Sequence, residues 1–300
     1  MKFAVATTSN GQVPVAAAGD ELVVLSERFR GLSDIIEGGK GAMEIVAGIL
    51  ASKQAQRMPL HEAVFSSPIT RFRRDVLCTG WNYWDHFEEG KEMRAQQERP
   101  KAPTFFTKSP DTVCGPNDPI AIDEKISPTW DYEVEVALVF GKNGRSISRT
   151  RALDHVFGYL LANDVSQRDL QRRHGGQWMK GKSIDGTMPL GPFLVTADEF
   201  DPQDETIELL LNGQVMQSAS TRQMAFSIPD LIAEISLGMT VRAGDVLLTG
   251  TPSGVGQSRK PPVFLKDGDE VIVRSKSLGQ QKNFVRQSDL YGGTDLVIEL

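Results

Sequence analysis

The chain has 300 residues, 40% of them apolar, with 33 lysines and arginines against 39 acidic residues and a net charge of −6. That balance supports a real hydrophobic core in one large domain or two ordinary ones. With no basic tail or long Lys/Arg run, it excludes broad binding to nucleic acid or anionic membrane and favours small-molecule chemistry.

Residues 1–70 read as a small appended α/β unit, with a strand over 3–7, Gly and Pro punctuation, an apolar strand over 22–25 and a helix over 41–55. No chemistry announces itself there, and 71–300 forms the expected second, catalytic domain. The amino terminus has no apolar run long enough for a signal peptide or membrane span, and none occurs later, so the cytoplasm is the expected location. Cys78 and Cys114 are too few for a disulfide framework and lack zinc-ligand spacing, so both read as core thiols of a reducing compartment.

From Val76 an apolar strand runs through Gly80-Trp81-Asn82-Tyr83 into a polar segment. If that segment is helical, His86 and Glu89 share one side at i and i+3. A carboxylate there fixes the imidazole tautomer, as a general base or acid requires; a surface histidine beside an incidental acid has the same spelling. The charged residues over 88–100 suit a solvent-facing lid, or a plain loop. A strand over 104–108 ends in Lys108, where the ammonium can reach an anionic ligand or water.

Residues 130–140 read as the central strand, with Tyr132, Val134, Val136, Leu138 and Phe140 on one face and Glu133 and Glu135 together on the other. Two anions so close repel unless a cation lies between them or one takes up a proton. The alternative is a solvated face with two ordinary glutamates. After a turn at Gly141-Lys142-Asn143-Gly144 and a short helix capped by Thr150, a second apolar strand ends in Asn163-Asp164. Three carboxylates from two strands suit Mg²⁺ or Mn²⁺ far better than zinc. Further on come a loop with Gly181-Lys182-Ser183, a hairpin about Asn212-Gly213 and a helix opened by Ser227 and Asp230. A strand then enters the loop from Thr249 to Gly256, which lacks the Gly-Lys-Ser/Thr ending of a P-loop. Its glycines and the Thr251 hydroxyl can approach a small anion closely, or simply turn the chain.

In order, spacing and chemistry these blocks resemble the fumarylacetoacetate hydrolase family over residues 71–296, including its acylpyruvate hydrolases and related decarboxylases and hydratases. The blocks are Gly80-Trp81-Asn82-Tyr83 with His86 and Glu89; Phe105-Phe106-Thr107-Lys108; Asp131-Tyr132-Glu133-Val134-Glu135; Asn163-Asp164 with Arg168-Asp169 and Gln171; Gly181-Lys182-Ser183; and Thr249 to Gly256. The resemblance implies an α+β, predominantly β fold, a mixed β-sandwich roll with peripheral helices, assembled as a homodimer. It implies Glu133, Glu135 and Asp164 as ligands of Mg²⁺ or Mn²⁺, Lys182 as a cation beside the reacting oxyanion, and His86 with Glu89 as a water-activating dyad. Tyr83, Lys108, Arg168, Gln171 and Thr251 would contact a 2-oxo acid substrate. Ile184 departs from the pattern, standing where an aromatic residue is frequent, and it leaves Lys180 beside Lys182 as the cation.

The expected reaction is hydrolytic C–C cleavage of a 2,4-dioxo acid, such as fumarylpyruvate or maleylpyruvate, in aromatic catabolism. Decarboxylation or isomerisation of a 2-oxo diacid, hydration of a dienoate, ureidoglycolate lysis and carboxylate binding without turnover are the competing readings. Arg172, Arg173 and His174 follow the Asp164 block closely, where one of them can meet a second carboxylate or all can be solvated.

Overall fold

Every residue of the strand Val134–Phe140 is buried, on both of its faces. Val134, Val136, Leu138 and Phe140 enter one core, while Ala137 and Val139, which share the face of Glu135, enter a second; the strand's twofold period divides them. The computed structural model describes residues 1–9, 11–93 and 98–290. Among these, an 11-stranded sheet holds Val134–Phe140 in its interior, antiparallel to Val156–Asn163 and to Val246–Leu248. Val246–Leu248 in turn runs parallel to Val76–Gly80, which pairs with Thr104–Lys108.

The first core lies between this sheet and a five-stranded one. Ile207 and Leu209 from Thr206–Leu211, Val271 and Val273 from Glu270–Ser275, and Leu231 and Ile232 from the helix Ile228–Ile235 all point into it. The second core is covered by the helix Leu32–Ala51 through Leu32, Ile35, Ile36 and Val46. The architecture is therefore α+β and mainly β, as expected, with the central strand sealed from water on either side. Among the described residues no helix is long and apolar enough to cross a membrane.

Local chemistry accounts for several elements. The Asn212-Gly213 hairpin forms with φ of 50° and 80°, the paired positive values of a two-residue type I′ turn. Ser227 and Asp230 cap Ile228–Ile235 reciprocally. Two expectations are corrected. The helix expected over 41–55 begins at Leu32 and kinks at Gly39, where φ is +53°, because Ile35 and Ile36 have a core to enter before the glycine run. Thr150 caps nothing: the turn Arg149–His155 is a 3₁₀ helix preceded by Ser148, without a side-chain cap bond. The amino-terminal strand Lys2–Thr8 pairs with Leu194–Thr196 and so continues the large sheet.

Glycine is required at Gly254, where φ is +106° and a Cβ would lie 2.1 Å from the Met216 carbonyl oxygen; Gly213, at φ +80°, faces open space. Gly254→Ala is expected to lower the unfolding free energy by roughly 3 kcal/mol or more, against about 1 kcal/mol for Gly213→Ala, which bears the backbone penalty alone. Urea denaturation of the two variants measures the difference, and equal losses would remove the packing argument.

Candidate active site

The large sheet brings four carboxylates together at one end of its central strands. Asp131, Glu133 and Glu135 come from the central segment and are all buried. Asp164 follows the end of Val156–Asn163, whose register sets Asn163 opposite Val134. The Asp164 N–H therefore donates to the Glu133 carbonyl at 2.8 Å. Glu133, Glu135 and Asp164 present carboxylate oxygens that all lie within 4.8 Å of one another.

Three buried cations answer these charges. Lys182 Nζ donates to Glu133 Oε2 and to Asp164 Oδ2, both at 2.7 Å. Lys108 Nζ, from the opposite side, donates to Asp164 Oδ1 at 2.7 Å and to the Val165 carbonyl at 3.1 Å. Arg168 reaches Asp131 Oδ2 at 2.9 Å and pairs with Glu133 Oε1 at 2.6 Å. Burial pushes the Glu133 carboxyl up, but Lys182 and Arg168 outweigh it and hold the group down to about 2. Lys182 is disfavoured by burial yet stays well above the usual lysine range because Asp164 and Glu133 flank it.

Glu135 is treated differently. Its Oε2 accepts a hydrogen bond from the Gly250 N–H at 2.7 Å. Burial, then Asp164, then Glu133 raise its carboxyl well above the usual range. Four acids thus face three cations, and the uncompensated one adjoins two other carboxylates. A hard divalent cation fits that set: every donor is a carboxylate oxygen, and the missing positive charge lies where a triad of them converges.

Across the site, His86 and Glu89 lie on the short helix Trp84–Glu89. His86 Nδ1 meets Glu89 Oε1 at 2.7 Å, and Glu89 Oε2 accepts from the Gly254 N–H at 2.8 Å. A carboxylate that accepts on both oxygens leaves the proton of that contact on Nδ1 and the lone pair on Nε2. The glycine-rich loop does more of this than its sequence suggests. Its Gly250 and Gly254 N–H groups hold Glu135 and Glu89, while those of Gly256 and Gln257 donate to Asp131 at 2.7 and 3.0 Å. The loop expected to cradle a ligand anion grips the protein's own carboxylates instead.

A cavity of about 600 Å³ opens over this cluster. His86, Glu133, Glu135, Arg168, Gln171, Lys182 and Thr251 line it, so the structure brings these expected residues to one space. Thr251 reaches it with its hydroxyl already engaged, donating to the Val134 carbonyl at 2.9 Å and accepting from Gln217 Nε2 at 2.8 Å. Asp164 and Glu89 are not among the lining residues but bond to two that are, Lys182 and His86. Lys108 and Tyr83, expected at the substrate, are not among the residues that line this cavity. Lys108 is fully buried against Asp164, and Tyr83 is buried with its hydroxyl unpartnered. Burial and the nearby Glu135 raise the Tyr83 phenol. Lys180 is exposed and Lys182 is the lysine in the cavity, while Ile184 packs into the first core. The lid expected over 88–100 includes residues 94–97, which lie outside the described residues.

Sequence reasoning missed two features. Gln217, on the hairpin strand Gln214–Ser220, accepts from the Val134 N–H at 2.9 Å and donates to Thr251 and Pro252, tying the five-stranded sheet to the site; nothing in its local sequence marks it. The second is an apolar wall of Trp81, Phe105, Phe106 and Trp178. Trp178 packs edge-on against Trp81 and Phe106 in space left by Gly80, where a Cβ would stand 2.3 Å from its ring. The Gly-Trp pair at 80 and 81 was the available signal.

Residues 75–286 match the family Fumarylacetoacetate (FAA) hydrolase C-terminal. The chain is 44% identical over 225 residues to "Oxaloacetate tautomerase YisK" of Bacillus subtilis (strain 168), covering 75% of this chain and 73% of that protein. A fumarylacetoacetate hydrolase from psychrophilic Exiguobacterium antarcticum superposes with a TM-score of 0.83 at 34% identity, over 96% of this chain and 100% of that one. Maleylpyruvate hydrolase from Sphingobium sp. SYK-6, solved with manganese (II) ion and pyruvate, superposes at 0.78 with 26% identity, over 96% and 100%. With the match running through every segment that contributes an acid or a cation to the cluster, the chain belongs to the fumarylacetoacetate hydrolase family and is an enzyme of that family.

Proposed function

We propose that this enzyme interconverts the keto and enol forms of a 2-oxo diacid. The observation that carries the reading is that one cavity places the free Nε2 of His86 and the ammonium of Lys182 around a buried acidic triad. Relatives at 44% identity that are oxaloacetate tautomerases support the same choice. Glu133, Glu135 and Asp164 would hold a divalent cation, magnesium or manganese by the hardness of the donors, which would supply Lewis-acid stabilisation of the negative charge developing on the substrate.

The chain's own residues do the rest. His86 Nε2 removes a proton from C3, and the C–H electron pair becomes the C2=C3 bond while the carbonyl π pair moves onto the oxygen. Lys182 Nζ, kept charged by Glu133 and Asp164, faces that oxygen with a positive charge and a proton. Enol formation leaves the C3 proton on His86 Nε2 and the Lys182 proton on that oxygen, both groups regain their starting state by proton exchange with solvent, and ketonisation runs the same transfers in reverse. Glu89 keeps the imidazole in the tautomer with its lone pair on Nε2 and steadies the imidazolium as it forms. No water is consumed.

Hydrolysis of an acylpyruvate such as fumarylpyruvate or maleylpyruvate is the second reading. It is favoured by the His86–Glu89 pair, since the same Nε2 can take a proton from water attacking the distal carbonyl. Both reactions share the developing enolate at C2 and differ in what His86 deprotonates. Deuterium incorporation at C3 of oxaloacetate, followed beside pyruvate release from maleylpyruvate and fumarylpyruvate, separates them: catalysed exchange without pyruvate release is expected, and pyruvate release without exchange would reverse the choice.

Two variants test the roles. Replacing His86 with Gln should lower kcat for exchange by ~10²- to 10⁴-fold and leave the affinity for Mn²⁺ as in the parent. Glu135→Gln should instead weaken Mn²⁺ binding by at least about tenfold, measured by calorimetry on protein stripped with EDTA. An unaltered Mn²⁺ isotherm in Glu135→Gln would remove that carboxylate from the site.

A further inference from the structure

The short helix Arg168–Arg173 turns three side chains into the cavity, Arg168, Gln171 and Arg172, as the i, i+3, i+4 spacing of a helix dictates. Arg173 and His174, equally basic in the sequence, are not among the lining residues. Arg168 and Arg172 are separated by about 6 Å along the helix axis, one inside the acidic cluster and one toward the rim. Arg168 is nearly inaccessible while Arg172 is exposed.

Both arginines are tied to the same loop. Arg168 Nε donates to Asp131 Oδ2 at 2.9 Å, and the Gln257 N–H donates to that same oxygen at 3.0 Å. Arg172 Nη2 then donates to the Gln257 side-chain oxygen at 2.5 Å. The Asp131 carboxylate therefore fixes the residue that orients the outer guanidinium. Partial burial and then the Arg168 cation lower the Arg172 guanidinium from its usual value, against the opposing pull of Asp169. The facing wall of Trp81, Phe105, Phe106 and Trp178 offers no charge.

We propose that Arg172, oriented by Gln257, receives the second carboxylate of the substrate and makes the site selective for 2-oxo diacids over 2-oxo monoacids of equal length. This rests on the tautomerase reading for the reaction but not for the binding it describes. A guanidinium pairs with a carboxylate through its N–H donors, and a 2-oxo monoacid, whose one carboxylate is held at the inner end, has no second carboxylate to bring to Arg172.

The test uses the full chain loaded with Mn²⁺. Affinities for oxaloacetate and 2-oxobutanoate are measured by calorimetry, and C3 deuterium exchange is followed on both by NMR, in the parent protein, Arg172→Leu and Arg172→Lys. The parent should favour the diacid. In Arg172→Leu the diacid-to-monoacid preference should fall by roughly ten- to a hundredfold, and Arg172→Lys should restore part of it. An unchanged preference in Arg172→Leu, or no preference in the parent, overturns the assignment. The two proposals fail separately. Arg172-dependent diacid binding without catalysed exchange removes the reaction and keeps the recognition residue; catalysed exchange with equal preference in parent and Arg172→Leu does the reverse.

Discussion

The structure turns on the mutual repulsion of Glu133, Glu135 and Asp164, whose oxygens converge within 4.8 Å in a buried place. Unpaired, such charges would carry a large desolvation cost, and removing one partner of a buried pair strands the other. Lys108, Arg168 and Lys182 reach the cluster from three separate segments, a strand end, a short helix and a 3₁₀ turn. The arrangement compensates Glu133 and Asp164 more fully than Glu135. That asymmetry leaves one corner of the triad open to a further positive charge and so connects the electrostatics of the fold to its chemistry.

The glycine-rich loop is the second element of that connection. Its N–H groups contact Glu135, Glu89 and Asp131, each belonging to a different part of the site. Side chains are excluded where the loop passes closest to its neighbours: at Gly256 a Cβ would stand 1.9 Å from the Val263 carbonyl oxygen. One short loop thereby sets the position of His86, through Glu89, relative to the acids across the site. Preorganised donors of this kind need no rearrangement as charge develops during reaction.

Family members named for tautomerisation and for hydrolysis share this scaffold, and the physics makes that unsurprising. Each reaction gathers charge at the oxygen of a 2-oxo acid, so each profits from the same acids, the same lysine and an oriented histidine. The outer cavity is lined by the aromatic wall, Arg172 and Gln257, side chains whose size and charge can change without altering the acids below them. One scaffold can host different reactions when the groups around its cavity differ.

Much of this was legible in the sequence because it depends on local spacing. An i, i+3 pair gave His86 and Glu89, Asn-Gly marked a hairpin and Ser227 with Asp230 marked a helix start; the alternation expected over 130–140 put Glu133 beside Glu135, although that strand is broken, Trp130–Asp131 and Val134–Phe140 being separate and Glu133 lying just before the second. Each follows from strand or helix geometry over a few residues. The sequence could not assign Lys108, whose position at a strand end reads alike whether it faces solvent, a ligand or Asp164 from behind; only the packing of the 104–108 strand decides. It could not choose among Arg172, Arg173 and His174 without the orientation of a six-residue helix, nor see that Gln217 and the loop's N–H groups are spent on the protein's own atoms. Sequence by itself determined which acids share a face and which histidine has a partner. The tertiary structure alone decided which cation meets which acid, because those pairs join segments 18 to 56 residues apart and rest on how the strands and loops pack together.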